Sequence, residues 1–224
     1  MKILIIGAGK MGEAVLKRWL YQKSKLKKVI SIVEINTKRR NAIKKKYSNV
    51  EIFKEIPTTW KGDLILFAIK PQTFFDVAKE INSKNINANI VLSIMAGITL
   101  VSLEKFINFK SIFFRAMPNL ASGIGEGVTG VFASKSITKY YKRKIENLLS
   151  ALGWVYWLKN EKFFDPLTAI SGSGPAYIFL FLLIMKNSAK SFGFQDKVAN
   201  QLVLQTLRGV LGIYEKNNKL DALI

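Results

Sequence analysis

A doubly wound parallel α/β sheet, followed by a smaller all-α domain, is the fold this sequence predicts. Three observations predict it. Short apolar runs alternate with helix-like stretches from Lys2 to residue 158. A glycine cluster, "GAGKMG" at 7–12, joins the first run to the first helix. After Lys159 no strand candidate remains. Strands that alternate with helices pair in parallel through right-handed crossovers.

The elements follow in order. "KILII" (2–6) is an apolar run that ends at Gly7, as a strand buried on both faces does. A helix follows over 11–22, with Ala14, Val15, Trp19 and Leu20 apolar. "VISIVE" (29–34) is the second strand, "TKRRNAIKKKY" (37–47) a basic helix and "VEIF" (50–53) a short strand. "DLILFAI" (63–69) is a strand that stops at "KPQ", followed by a helix over 74–81. Strands are expected at 88–97, 111–119 and 127–134. A helix over 139–153 with a glycine stop leads to a last strand, "WVYWL" (154–158). Two long helices complete the chain, at about 162–192, with the glycines as a break point, and at 195–216. The domains read as 1–160, which binds a dinucleotide, and 161–224, a helical domain for substrate and dimerisation. In the last helix Val198, Leu202, Val203, Leu207, Val210, Leu211 and Tyr214 form a wide apolar face. Some 65 residues make a small core, and a second copy or the same subunit can cover that face.

Composition narrows the chemistry. The 224 residues hold no cysteine and no histidine. Disulfides, thiol nucleophiles, imidazole acid–base pairs and Cys/His zinc sites are excluded, so any enzyme here relies on a cofactor or on carboxylates; no metal site is expected. Hydrophobic residues make up 49%, enough for a sizeable core. The chain opens straight into the glycine cluster, with no signal peptide pattern. The apolar run "AYIFLFLLIM" (176–185) covers about half a bilayer and reads as a buried helix. A cytoplasmic address is expected, with no membrane partner. The net charge of +20 reads as a lysine-rich solvated surface. No helix-turn-helix and no basic-aromatic platform accompanies it, so no nucleic-acid partner is expected. Fourteen of the 35 Lys and Arg fall within residues 1–46, where they would favour an anion.

The glycine cluster matches G-x-G-x-x-G in the context its mechanism needs, after a strand and opening a helix. Gly7 permits the tight turn, Gly9 lets backbone approach a pyrophosphate, and Gly12 brings helix against strand. Ala8, Lys10 and Met11 complete the loop. This is a Rossmann-type site. Glu34 ends the second strand, where an acid holds a ribose 2′-hydroxyl and favours NAD. Asn36, Thr37, Lys38 and Arg39 follow at once and can surround a 2′-phosphate. The balance leans to NADP(H), with NAD(H) open. "AIKPQ" (68–72) and "SIMAG" (93–97) end strands at the carboxyl edge, so Ala68, Lys70, Pro71, Ala96 and Gly97 join the candidate cofactor residues.

"SGSGPAY" (171–177) admits two readings. Pro175 suits the first turn of a helix. The residues before it then offer free N–H groups and a dipole to a carboxylate; otherwise they are a glycine kink that eases packing.

Taken together, "GAGKMG", "KPQ", "RAMPN" (115–119), "GEG" (125–127) and "SGSGPAY" resemble the pyrroline-5-carboxylate reductase family. The resemblance runs from Lys2 to about Ile224, and "RAMPN" with "SGSGPAY" is far more specific than the glycine fingerprint. It implies hydride transfer from NAD(P)H to the imine carbon of 1-pyrroline-5-carboxylate, giving L-proline, the last step of proline biosynthesis. It implies that Ser171, Gly172, Ser173 and Gly174 bind the substrate carboxylate, with Met117 and Asn119 lining the site and no catalytic side chain. It also implies a homodimer, often assembled further, through the helical domain.

The sequence departs from the family pattern in places. Leu120 and Ala121 stand where threonine and proline are usual, and Leu183 where an acid is common. The family continues past "LDALI" into a serine-proline-glycine-glycine-threonine stretch whose threonine contacts the imine. The helical domain is therefore expected to be shortened, with one pocket wall missing. Two alternatives stay open: a non-catalytic or weakly active nucleotide-binding remnant, and a sibling hydroxyacid-type NADP dehydrogenase. The latter class uses a lysine near the start of the long helix; here the nearest after Pro175 is Lys186.

Overall fold

The computed structural model describes residues 1–22, 29–133 and 137–217. The expected strand end at Ser134 and the "LDALI" stretch lie outside these residues. The chain divides into two compact units, 1–172 and 173–224.

Among the described residues of the first unit, eight strands form one sheet in the order β3-β2-β1-β4-β5-β6-β7-β8. They are β1 (Lys2–Ile6), β2 (Val29–Val33), β3 (Glu51–Phe53), β4 (Thr59–Phe67), β5 (Asn85–Ser93), β6 (Ile112–Pro118), β7 (Gly127–Ala133) and β8 (Gly153–Trp157). The helices are α1 (Lys10–Tyr21), α2 (Thr37–Lys46), α3 (Phe74–Asn82), α4 (Leu100–Phe106), α5 (Lys139–Leu149) and the short α6 (Phe164–Leu167).

Period-two alternation explains the apolar runs. Ile3 and Ile5 of β1 enter one core with Val15, Leu16 and Trp19 of α1 and Leu148 of α5. Leu4 and Ile6 enter the opposite core with Phe67, Phe74 of α3 and Leu103 of α4. A strand buried on both faces has no polar side. Trp19 Nε1 donates to Leu148 O at 2.8 Å, and Arg18 Nε to Ala151 O at 2.7 Å, so α1 is fastened to the α5 end of the sheet.

Three expectations are corrected. The sheet is not wholly parallel: β7 pairs antiparallel with β6. The connection between them, Asn119–Glu126, is too short for a parallel crossover, which needs a dozen residues or more. It folds instead as a 3₁₀ turn, Leu120–Ile124, reversed at Gly125 with φ +85°. Helix α4 was not foreseen; Thr99 caps it, accepting from Ser102 N at 3.2 Å. Strands β4 and β5 begin earlier than expected, at Thr59 and Asn85, which pair with each other.

The sequence placed the boundary near Asn160, whereas the compact first unit runs on to Gly172. Two contacts hold the intervening segment. Arg115 Nη1 pairs with Glu161 Oε1 at 2.9 Å and its guanidinium lies 4.3 Å from the Phe164 ring centroid. At Gly130 an added Cβ would fall 2.2 Å from Leu167 Cδ2, so the glycine lets α6 lie against β7.

The second unit contains α7 (Gly174–Ser191) and α8 (Asp196–Asn217), joined by a tight reversal at Gly193, φ +93°. Lys186 and Lys190 both pair with Asp196, at 3.0 and 3.2 Å. Among its described side chains only Ala199 and Val203 are buried. By length and composition the helical stretch Glu161–Ser191 would reach across a bilayer, where the run 176–185 alone would not.

Candidate active site

The candidate site is built on the carboxyl edge of the sheet. Strand order reverses between β1 and β4, and open α/β sheets bind ligands outside the strand ends at that switch point. The loop from β1 to α1 shows how each glycine is used. Gly7 has φ +93°, and a Cβ there would meet Ala68 O at 2.7 Å. A Cβ on Gly12 would lie 2.3 Å from Gly7 O. A Cβ on Gly9 would have no described heavy atom within 4 Å. Gly7 and Gly12 therefore serve close backbone packing, and Gly9 faces open space, as a pyrophosphate cradle requires. Gly9 is also the N-cap of α1 and offers no side-chain cap. The helix end keeps its N–H groups and partial positive charge for an anion.

A cleft of about 390 Å³ lies beside the loop, lined by Gly7, Gly9, Glu34, Asn36, Ala68 and Lys70 among others. Arg39 also lines it. Ala68 directly follows β4, its N–H bonded to Ile6 O at 2.8 Å. Lys70 stands before the 3₁₀ turn Pro71–Thr73; its carbonyl accepts from Thr73 N at 3.0 Å and Thr73 Oγ1 at 2.9 Å. Lys70 is exposed. Thr73, Ile69, Glu55 and Glu80 also line the cleft and were not foreseen. Ile69 lies within "AIKPQ" and Thr73 directly after it, whereas Glu55 and Glu80 belong to no motif.

The acid at the end of the second strand behaves differently from expectation. Glu34 Oε2 accepts from Ala8 N and Oε1 from Asn36 N, both at 2.9 Å. Asn36 caps α2, its Oδ1 accepting from Arg39 N at 3.0 Å. Arg39 Nε donates to Ala8 O, and Arg39 Nη2 pairs with Glu13 Oε2 at 3.1 Å. Glu13, one turn into α1, escaped the sequence reading. Thr37 Oγ1 accepts from Arg40 Nη2 at 2.9 Å. Lys38 is exposed, as are Lys10 and, beyond β5, Ala96 and Gly97. Ala96 and Gly97 stand outside the cleft's lining, and a Cβ on Gly97 (φ +74°) would also meet no described atom within 4 Å.

The "RAMPN" end of β6 meets the "SGSG" segment through one side chain. Asn119 is 9% exposed. Its Nδ2 donates to Ser171 O at 3.0 Å and its Oδ1 accepts from Val128 N at 3.1 Å. Both ends of the amide are used inside the fold, so Asn119 holds the neighbouring backbone in place. Met117, two residues earlier, is half-buried. Arg115, in the same motif, is tied to Glu161, whose Oε1 also accepts from Leu100 N at 2.9 Å.

Of the two readings that the sequence left open for the segment 171–174, the structure adds a local feature to each. Residues Thr168–Gly172 form one turn of π-helix, in which N–H groups bond five residues back. Ser171 Oγ donates to Leu167 O at 2.9 Å, and Ala176 N to Ser173 O at 2.9 Å. Part of the donor set is thus capped locally. Ser173 is the N-cap residue of α7, and Pro175 sits in its first turn. A Cβ on Gly174 would meet nothing within 4 Å among the described residues. Wide helical turns of this kind cluster at functional sites.

A glycine loop at the switch point of a 3-2-1-4-5-6 sheet defines the class, a dinucleotide-binding oxidoreductase. Residues 2–97 match the family model described as NADP oxidoreductase coenzyme F420-dependent, and residues 161–224 match pyrroline-5-carboxylate reductase dimerisation. The pyrroline-5-carboxylate reductase of Arabidopsis thaliana is 31% identical over 226 residues, covering 97% of this chain and 78% of the relative. That of Synechocystis sp. is 30% identical over 220 residues, covering 98% and 81%. The solved 1-pyrroline-5-carboxylate reductase of Streptococcus pyogenes superposes with a TM-score of 0.83 at 25% identity, covering all of this chain and 85% of that one. The chain belongs to the pyrroline-5-carboxylate reductase family.

Proposed function

We propose that this protein reduces 1-pyrroline-5-carboxylate to L-proline with a hydride from NADPH. The observation that carries the proposal is the Asn119–Ser171 hydrogen bond, which joins the two most family-specific motifs beside the carboxyl edge of a dinucleotide-binding sheet.

The residues fit a dinucleotide. Gly9 leaves the space that a pyrophosphate needs, and the uncapped end of α1 supplies donors. In this reading Ala8, Lys10, Met11 and Gly12 complete the cradle. Asn36, Thr37, Lys38 and Arg39 receive the 2′-phosphate, and Lys38 brings a cation with no partner among the described residues. Ala68, Lys70, Pro71, Ala96 and Gly97 border the nicotinamide. When bound, the reduced cofactor supplies the hydride.

Ser171 and Gly172 of the π turn, followed by Ser173 and Gly174, hold the substrate carboxylate, while Met117 limits the pocket. No side chain need act as acid or base. The ring nitrogen is protonated by solvent before the substrate is bound, and hydride addition to the carbon of that iminium gives the amine of proline. The chain's part is to bind, orient and exclude water.

Lys186 does not favour a hydroxyacid-type lysine catalyst, because its ammonium is paired with Asp196 at 3.0 Å. We further propose that a second copy covers the exposed apolar faces of α7 and α8, giving a cytoplasmic homo-oligomer, and that this explains the apolar stretch without a membrane. The test is steady-state NADPH oxidation with 1-pyrroline-5-carboxylate. Proline formed one-for-one with NADPH supports the reading. Cofactor binding with no proline supports a nucleotide-binding protein, and turnover of 3-hydroxy acids a sibling dehydrogenase.

A further inference from the structure

Ala8 is fully buried in the glycine loop, and charged side chains from the end of β2 and the first turn of α2 hold its N–H and its carbonyl. Glu34 accepts from its N–H, and Arg39 donates to its carbonyl. Glu34 also accepts from Asn36 N, and Arg39 is steadied by Glu13. We propose that Glu34 and Arg39 form a clamp that keeps the glycine loop shaped for a pyrophosphate, and that Glu34 acts as a positioning residue for that loop rather than by selecting between dinucleotides at the ribose. This rests on the dinucleotide reading above and deepens it.

The chemistry separates the two roles. An acid at the end of the second strand usually accepts from the ribose 2′-hydroxyl and repels a 2′-phosphate. Here each carboxylate oxygen already holds a backbone donor, and the residue is 9% exposed. Accepting two N–H groups stabilises the charge inside the turn and aims it at the loop. The same connection also presents the exposed Asn36 and Lys38. A 2′-phosphate meets cations and amides there. The clamp serves NADPH and NADH alike, because both carry the same pyrophosphate.

The experiment titrates the full chain with NADPH and, separately, NADH, following nicotinamide fluorescence, in the wild type, Glu34→Gln and Glu34→Asp. A thermal melt accompanies each variant. Gln sets an N–H₂ group against one of the two backbone donors; Asp keeps the charge but is one methylene too short to span both. The clamp predicts that Kd rises about tenfold for both dinucleotides, since charge-assisted bonds to the loop are lost. Their ratio stays constant to within about twofold on the same grounds, in protein that still melts cooperatively. A loss confined to NADH, a gain for NADPH, or unchanged binding of both overturns the proposal. Retained NADH binding in Glu34→Asp also overturns it, because a shorter acid still suits a ribose. If Glu34→Gln does not fold, Glu34→Asp carries the comparison. A wild-type chain that binds neither dinucleotide overturns the cofactor reading itself, before any variant is compared.

Discussion

Gly9 and Gly12 stand three residues apart and meet opposite demands. Gly12 is packed against Gly7 O, so a methyl group there must displace backbone. Gly12→Ala is expected to cost about 2 kcal/mol in denaturant unfolding, in the range of overpacked sites. Gly9 faces open space with φ −59°, so Gly9→Ala should leave stability within about 0.5 kcal/mol of wild type. It should nevertheless weaken NADPH binding at least tenfold, because the methyl occupies the cradle; unchanged binding in that variant would remove the pyrophosphate from this loop. Asn119→Asp replaces the donor to Ser171 O with a second acceptor. KM for 1-pyrroline-5-carboxylate should rise about tenfold, by the cost of a lost buried hydrogen bond, with KM for NADPH unchanged. Equal rises in both constants would reduce Asn119 to a general structural role. The packing of Gly12 was legible in the sequence because its partner, Gly7, belongs to the same motif, whereas the contact of Gly7 with Ala68 crosses from another strand end. The duty of Asn119 was not, since its partner lies 52 residues away and nothing in "RAMPN" points to it.

Elements were legible where hydrophobic period decided them and obscure where polar residues or short length did. Strand β1 and helix α1 follow from their patterns. Helix α4 has only seven residues, and its capping Thr99 is the one signal it carries. The early turns of β4 and β5 hold Thr59, Lys61, Asn85 and Asn87, which read as loop. The direction of β7 was decided by the length of a connection. The π turn at Thr168–Gly172 has no sequence period of its own and was not foreseen. One inter-strand tie yields a pH prediction. Asp63 of β4 accepts from Lys2 N at 2.8 Å and pairs with Lys144 at 3.5 Å. Partial burial alone would raise its pKa, but the Lys2 amide and the Lys144 ammonium outweigh this and hold it below the ordinary carboxylate value. A depressed folded-state pKa stabilises the fold above the unfolded value and is lost as pH falls through the folded one. Wild type should therefore melt above Asp63→Asn at pH 7, and the gap should close below about pH 4. A gap that is constant down to pH 2.5 would contradict the tie.

The whole molecule carries a second unit whose apolar surface is too large for an isolated monomer. Phe179, Leu180, Phe181, Leu183 and Ile184 of α7 are each more than half exposed. Contiguous apolar area of this kind marks an interaction surface, and residues 161–224 match a dimerisation family. Light scattering of the purified chain should give a dimer or a larger even assembly. Phe181→Asp should shift it toward monomer, because an unpaired charge buried at an interface is strongly disfavoured. A wild-type chain that stays monomeric at micromolar concentration would leave those faces unexplained. The apolar faces were readable from the sequence, but what covers them was not, because periodicity does not distinguish a neighbour in the same subunit from one in another.

The central claim is that this scaffold hands a hydride from NADPH to a cyclic imine held by the π turn. The most direct measurement is steady-state turnover of 1-pyrroline-5-carboxylate by the purified chain, with NADPH loss and proline gain recorded together. The account predicts equal amounts of both, with the rate saturating in the imine. NADPH that binds tightly while no proline forms would contradict it.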